Sequence, residues 1–178
     1  MMAEAFARAY RTTRWQAVYA SPLQRTVETA QPICDALEIK MQLRDELKEI
    51  AYGAWEGKTL EEVSHEYHDD YLRWLADPAW YPPTGGEPAS AIAQRGLKIV
   101  EEIKRECAEG NVLVVSHKAT IRIILCALLG IDVGRFRARL ACPVGSISIV
   151  EFKEHGPLLQ VLADRTHLDE RLRELPGT

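Results

Sequence analysis

The chain has 178 residues, 47% hydrophobic and 27% charged, with a formal net charge of −4. That length supports one domain with its own core, and the charge excludes the broad basic surface that nucleic-acid binding needs. The longest apolar run, residues 123–129, is too short to span a bilayer, so neither a membrane nor a nucleic acid is an expected partner. Cys34, Cys107, Cys126 and Cys142 form no C-x-x-C pair, which points to reduced thiols in a cytoplasmic protein.

Residues 1–14 lack the apolar segment of a signal peptide. Residues 3–10 read as an uncapped helix, with Phe6 and Tyr10 at i and i+4. Residues 15–20 read as a strand. Ser21 and Pro22 then open a helix over 22–37, serine as N-cap and proline at the first helical position. Pro32 should bend or interrupt that helix. Arg25 sits one turn in, just after a strand end, where its guanidinium either reaches two oxygens of a phosphate or lies on the surface.

Residues 41–47 read as extended and lead into an ordered loop at 48–57 with two glycines and two aromatics. Glu49 in this loop is either a proton-passing carboxyl, its pKa raised by partial burial beside a phosphate, or a solvated side chain. Residues 59–75 read as one helix capped by Thr59 with Glu62 three residues on. His65 and His68 fall at i, i+3 on it; without an evident third ligand, solvent exposure is favoured over a metal site. Residues 77–88, with four prolines and two glycines, read as a lid or rim, and residues 80–83 with Tyr52 suggest a partly apolar edge. Residues 89–109 read as a long helix.

The stretch 112–130 organises the chain. Residues 112–115 are a continuous apolar run, mostly β-branched, that reads as a strand buried on both faces. Ser116, His117 and Lys118 follow at once, and from Thr120 apolar residues recur at helical spacing up to Gly130. A histidine at the carboxyl end of a buried strand, facing a helix start, stands where open α/β sheets bind ligands. Free N–H groups there attract anions. Residues 133–139 carry three arginines, and residues 146–152 and 158–162 read as a hairpin. The tail from Asp164 is charged and is expected to be partly disordered.

Four segments then combine: Ser21-Pro-Leu-Gln-Arg25-Thr-Val-Glu-Thr-Ala30, Glu49-Ile-Ala-Tyr-Gly53-Ala-Trp-Glu-Gly57, Gly85-Gly-Glu87, and Val114-Val-Ser-His117-Lys-Ala-Thr-Ile-Arg122. In this order they resemble the histidine phosphatase superfamily, in its phosphoglycerate-mutase-like branch of cofactor-independent phosphatases. The likeness covers residues 2–168. It implies one domain over 1–178 with a three-layer α/β/α fold, phosphoryl transfer through a phosphohistidine, and no metal or other cofactor. It also implies Arg25 and His117 as phosphate-pocket residues and Glu49 as proton donor to the leaving oxygen. Ser21, Glu87 and Lys118 are carried over as substrate-binding residues. Lys118 stands where many relatives have glycine, and either adds a charge to the pocket or points away. Pro88 stands where serine is common.

The family opens with a strand ending in Arg-His-Gly, whose histidine is the nucleophile, and residues 1–178 contain no such tripeptide. The chain is therefore expected to be an N-terminally shortened phosphatase, starting at a downstream methionine, with very low or no activity as written. The sheet should carry a gap, left as an open slot, re-paired, or filled by another chain. The expected ligand is a phosphorylated small molecule whose identity the sequence does not give, with hydrolysis favoured over mutase chemistry. A non-catalytic phospho-ligand binder and an assembly module, such as a homodimer, are the competing readings.

Overall fold

The computed structural model describes residues 1–175. In chain order it contains α1 (Met2–Tyr10), β1 (Trp15–Ala20), α2 (Gln24–Leu37), β2 (Met41–Leu43), α3 (Leu60–Glu66), α4 (His68–Ala76) and α5 (Ala89–Glu106). There follow β3 (Asn111–Val115), α6 (Lys118–Leu129), α7 (Phe136–Arg139), β4 (Ile147–Lys153), β5 (Gly156–Asp164) and α8 (Glu170–Arg173).

β1 is the middle strand of a parallel sheet in the order β2-β1-β3. Its side chains alternate between two helical layers, as the strand's period of two requires. Val18 and Ala20, with Leu113 and Val115, pack on Ala30 and Cys34 of α2. Ala17 and Tyr19, with Val112, face Ile99 and Ile103 of α5 and Ile124 of α6. The result is a helix–sheet–helix sandwich. On the α6 side the core continues through Ile92, Ile123 and Phe136 to Val150 and Leu159 of the hairpin.

β4 and β5 form a separate antiparallel pair. Among the described residues, β3 therefore has a strand neighbour on one side only. An open slot separates it from residues 146–148, and Met2 and Phe6 of α1 line the same space. Of the outcomes expected for a gap in the sheet, re-pairing is not seen among the described residues, and an open slot lies beside β3. It also corrects the reading of β3 as buried on both faces: Val114 is 38% exposed, because the strand stands at the slot's edge.

Several boundaries differ from the sequence reading. α2 starts at Gln24 after an extended Leu23, with no side-chain cap. Ser21 Oγ accepts from Leu23 N at 3.3 Å, closing a turn ahead of the helix. Pro32 lies within α2, which runs unbroken to a left-handed Glu38. The stretch 41–47 is extended only over Met41–Leu43, and Asp45–Leu47 is a 3₁₀ turn. The helix expected over 59–75 breaks at Tyr67, whose φ of −127° and ψ of 39° are non-helical. The Thr59 cap does form: Thr59 Oγ1 accepts from Glu62 N, and Glu62 Oε2 accepts from Thr59 N. α5 ends at Glu106 rather than Glu109. The tail is more ordered than its charge suggested. Leu168 and Leu172 are buried against Ala5, and Asp169 caps α8. The last three residues of that tail, 176–178, lie outside the described residues. No helix among the described residues is long and apolar enough to cross a membrane.

Candidate active site

Parallel pairing puts Ala20 of β1 opposite Val115 of β3. The residues that follow each strand therefore emerge side by side at the carboxyl edge of the sheet. Ser21 N donates to the Val115 carbonyl at 3.0 Å. Ser21 and His117 are then brought together, with His117 Nε2 2.8 Å from Ser21 Oγ.

α2 brings Arg25 over the same edge, and its Nε donates to His117 Nδ1 at 3.1 Å. A guanidinium N–H can only donate, so Nδ1 is the acceptor and the ring proton sits on Nε2, facing the serine oxygen. This is a neutral imidazole, only 5% exposed. Burial pushes its pKa below the ordinary histidine value; the Arg25 charge adds to that, Glu49 opposes it, and Arg95 lowers it further.

Glu49 follows β2 and the 3₁₀ turn at Asp45–Leu47, which packs on the α5 face of the sheet. The 3₁₀ turn buries Leu47, whose carbonyl accepts from Ser116 Oγ at 2.8 Å, and the Lys48 carbonyl accepts from Thr120 Oγ1 at 2.8 Å. The Glu49 carboxylate lies across the start of α6. Oε1 accepts from Ile50 N at 3.0 Å and Thr120 N at 3.2 Å, and Oε2 from Ala119 N at 3.3 Å. Two first-turn N–H groups of α6, those of Ala119 and Thr120, are thus taken by the Glu49 side chain. For these two the expectation of N–H groups free for a ligand anion is corrected: Glu49 caps the helix that follows His117.

The loop holding Glu49 is fixed by close backbone contact. Gly53 has φ of +56°, and a Cβ there would meet the Thr84 carbonyl oxygen at 2.4 Å. Only glycine fits this approach. Ala54 N donates to that same carbonyl at 2.9 Å, and Glu87 N donates to the Ala51 carbonyl at 2.9 Å.

Arg25, Glu49, His117 and Lys118 line one cleft of about 1220 Å³, which continues into the slot beside β3. Lys118 is exposed at this rim. Two other residues singled out in the sequence lie behind the wall. Ser21 is fully buried and holds His117. Glu87 pairs with Arg95, accepting from Nε at 2.8 Å and Nη2 at 3.0 Å. Arg95 also donates to the Glu46 carbonyl, so this pair ties α5 to the segment leading to Glu49. His65 and His68 are exposed on either side of the break at Tyr67. No cluster of metal-ligating side chains occurs among the described residues.

The cleft also takes in residues that sequence spacing did not single out. Trp55 and Trp74 stack edge to face with centroids 5.5 Å apart, and Arg137 lies over the Trp74 ring at 4.2 Å. Arg137 comes from α7, far along the chain, and only the cluster of arginines at 135–139 hinted at it. The rim expected from residues 80–83 is not part of this cleft, and Trp80 is 72% exposed.

A family model described as the histidine phosphatase superfamily (branch 1) matches residues 1–165. Phosphoserine phosphatase 1 of Hydrogenobacter thermophilus is 33% identical over 153 residues, which cover 86% of this chain and 72% of that protein. A bifunctional protein of Mycobacterium tuberculosis is 35% identical over 151 residues, 84% of this chain but only 41% of its own length. The adenosylcobalamin/alpha-ribazole phosphatase of Escherichia coli is 26% identical over 151 residues, 83% of this chain and 72% of its own. Among solved structures, Bacillus stearothermophilus YhfR has the same fold, with a TM-score of 0.86 at 24% identity, covering 93% of this chain and 82% of that one. With the family model spanning nearly its whole length, the chain belongs to the histidine phosphatase superfamily.

Proposed function

We propose that this domain holds a phosphomonoester by its phosphoryl group at Arg25 and His117, and that, joined to a strand ending in Arg-His-Gly, it hydrolyses the ester through a phosphohistidine. The phosphatase relatives support the reaction class. The observation that carries the reading is the meeting of Arg25, His117 and Glu49 at one rim of the sheet. A phosphoryl group there would draw the Arg25 fork from the imidazole onto two of its oxygens, a planar geometry suited to the task. That frees Nδ1 of His117, which donates to the anion once protonated. Glu49, beside them, is placed to hand a proton to the leaving oxygen and then to activate water.

Residues 1–178 on their own are proposed to hydrolyse esters very weakly or not at all. Both ring nitrogens of His117 are engaged. His65, His68 and His155 are exposed and lie outside the cleft. His167 stands at the α1 end, its ring 6.0 Å from that of Phe6. None is held in line with a leaving group, as covalent catalysis needs. The test is to add a strand ending in Arg-His-Gly ahead of Met1 and assay an aryl phosphate. The extended protein is expected to turn over while the chain of 178 residues does not. An inert extended protein, or equal rates from both, would overturn the proposal.

A further inference from the structure

His117 has a different kind of partner on each ring nitrogen, and the difference fixes where its protons go. Nδ1 lies 3.1 Å from Arg25 Nε, and Nε2 lies 2.8 Å from Ser21 Oγ. A guanidinium N–H can only donate, so Nδ1 carries no proton while Arg25 is on it. A hydroxyl oxygen accepts, so the single proton of the neutral ring is kept at Nε2. Ser21 is fully buried, and its backbone N–H is tied to the Val115 carbonyl at 3.0 Å. Its hydroxyl oxygen also accepts from Leu23 N at 3.3 Å. The serine is therefore anchored independently of Arg25.

Charge points the same way. His117 is 5% exposed and touches a guanidinium, and a second cation there would be poorly solvated and repelled. The charged groups facing the ring are Arg25 from α2, Glu49 from the loop before α3 and Arg95 from α5. Lys118, the first residue of α6, follows it at the cleft rim. Arg95 is already paired with Glu87. A phosphoryl dianion reverses the balance at the ring, because its two negative charges match Arg25 and one further cation. Once the Arg25 fork turns onto the oxygens, Nδ1 is left bare and facing the anion.

We propose that anion uptake at this site is proton-coupled: one proton from solvent binds at Nδ1 of His117 for each dianion that enters, and Ser21 is the positioning residue that holds the other proton on Nε2 throughout. The inference rests on the phosphate site proposed above and adds its regulation by pH. Neutral His117, a proton and the dianion give an imidazolium that donates from Nδ1 to the anion and from Nε2 to Ser21 Oγ. No covalent bond other than N–H forms. Ser21, suggested by the sequence as a substrate contact, acts on the ligand only through the ring.

Sulfate is the probe, because it stays a dianion across the neutral range and cannot itself take up the proton. Calorimetric titration of the chain in two buffers of different ionisation enthalpy counts the protons, and about one per sulfate is expected at neutral pH. Affinity should rise by about tenfold per pH unit as pH falls, levelling off only below about pH 6.5, where free His117 is protonated unaided. Nitrogen NMR of labelled histidine locates the proton. Nε2 should be protonated with and without sulfate, and Nδ1 only with it. Ser21→Ala leaves the Nε2 donor of the imidazolium without its acceptor. That variant should bind sulfate at least about tenfold more weakly at neutral pH and shift the steep range to lower pH. Glu49→Gln should keep the proton uptake. Sulfate binding without a proton, uptake that disappears in Glu49→Gln, a proton on Nδ1 in the sulfate-free protein, or an unshifted profile in Ser21→Ala would overturn the coupling alone. A chain that takes up neither sulfate nor phosphate would overturn the phosphate site and the coupling with it.

Discussion

Glu49→Gln should cost this protein stability as well as chemistry. The substitution keeps the side chain's shape and removes its charge. In the native protein Oε1 accepts from Ile50 N and Thr120 N, and Oε2 from Ala119 N. A glutamine can leave its oxygen on the first two donors, but its amide then points an N–H at Ala119 N–H. A buried donor left facing a donor costs about 1–3 kcal/mol. Loss of a negative charge at a helix start costs about 0.3–1 kcal/mol, and up to about 2 kcal/mol when partly buried. Together these give a loss of roughly 1–5 kcal/mol. For a chain of this size the midpoint of thermal unfolding should fall by roughly 3–20 °C, at about 2–4 °C per kcal/mol. Urea unfolding followed by fluorescence of buried Trp55 and Trp74 measures the same quantity. A loss below about 0.5 kcal/mol, the range of an ordinary surface substitution, would refute the account of Glu49 as the cap of α6.

Three further outcomes follow from the same structure. Loss of water holds the pKa of buried His117 and half-buried His167 below the ordinary histidine value. The unfolded chain then takes up protons first, so their contribution to stability is complete above about pH 6.5 and is lost as pH falls through that value toward the lowered folded one. Chemical denaturation from pH 7.5 down to pH 5.5 should show the decline, and a flat or rising profile would contradict it. At Gly96 a Cβ would meet Ile124 Cγ1 at 2.4 Å. Gly96→Ala should push α5 from α6 and destabilise by about 1–3 kcal/mol, where a neutral result would contradict the packing described. Tyr19 Oη donates to Glu106 at 2.8 Å, and burial with that partner pushes its pKa up to about 12. Tyr19→Phe should cost about 0.5–1.5 kcal/mol and remove the highest step from an ultraviolet tyrosine titration. An unchanged titration curve would show the hydroxyl to be free.

Much of the fold was legible because local chemistry and burial agree. β1, the start of α6 and the Thr59 cap each carry a periodicity or a capping pair that tertiary contacts reinforce. The misreadings fall where a distant partner decides. Ser21 has the right chemistry for an N-cap, yet its hydroxyl is claimed by His117, a residue from the next strand over. β3 has the composition of a central strand, and its exposure follows from what stands beside it. Glu49 was singled out as an acid, and its role at the start of α6 depends on a loop fold that spacing does not encode. Arg137 gave almost no signal, because a residue of a short helix enters a site only through the packing of the whole domain.

The Arg25–His117 pair carries the functional reading, and phosphate binding tests it most directly. Calorimetric titration of the wild-type chain, Arg25→Ala and His117→Ala with inorganic phosphate should give saturable binding to the first and none to the other two. Wild-type and variant chains with the same affinity, or a wild-type chain that takes up no phosphate, would contradict it.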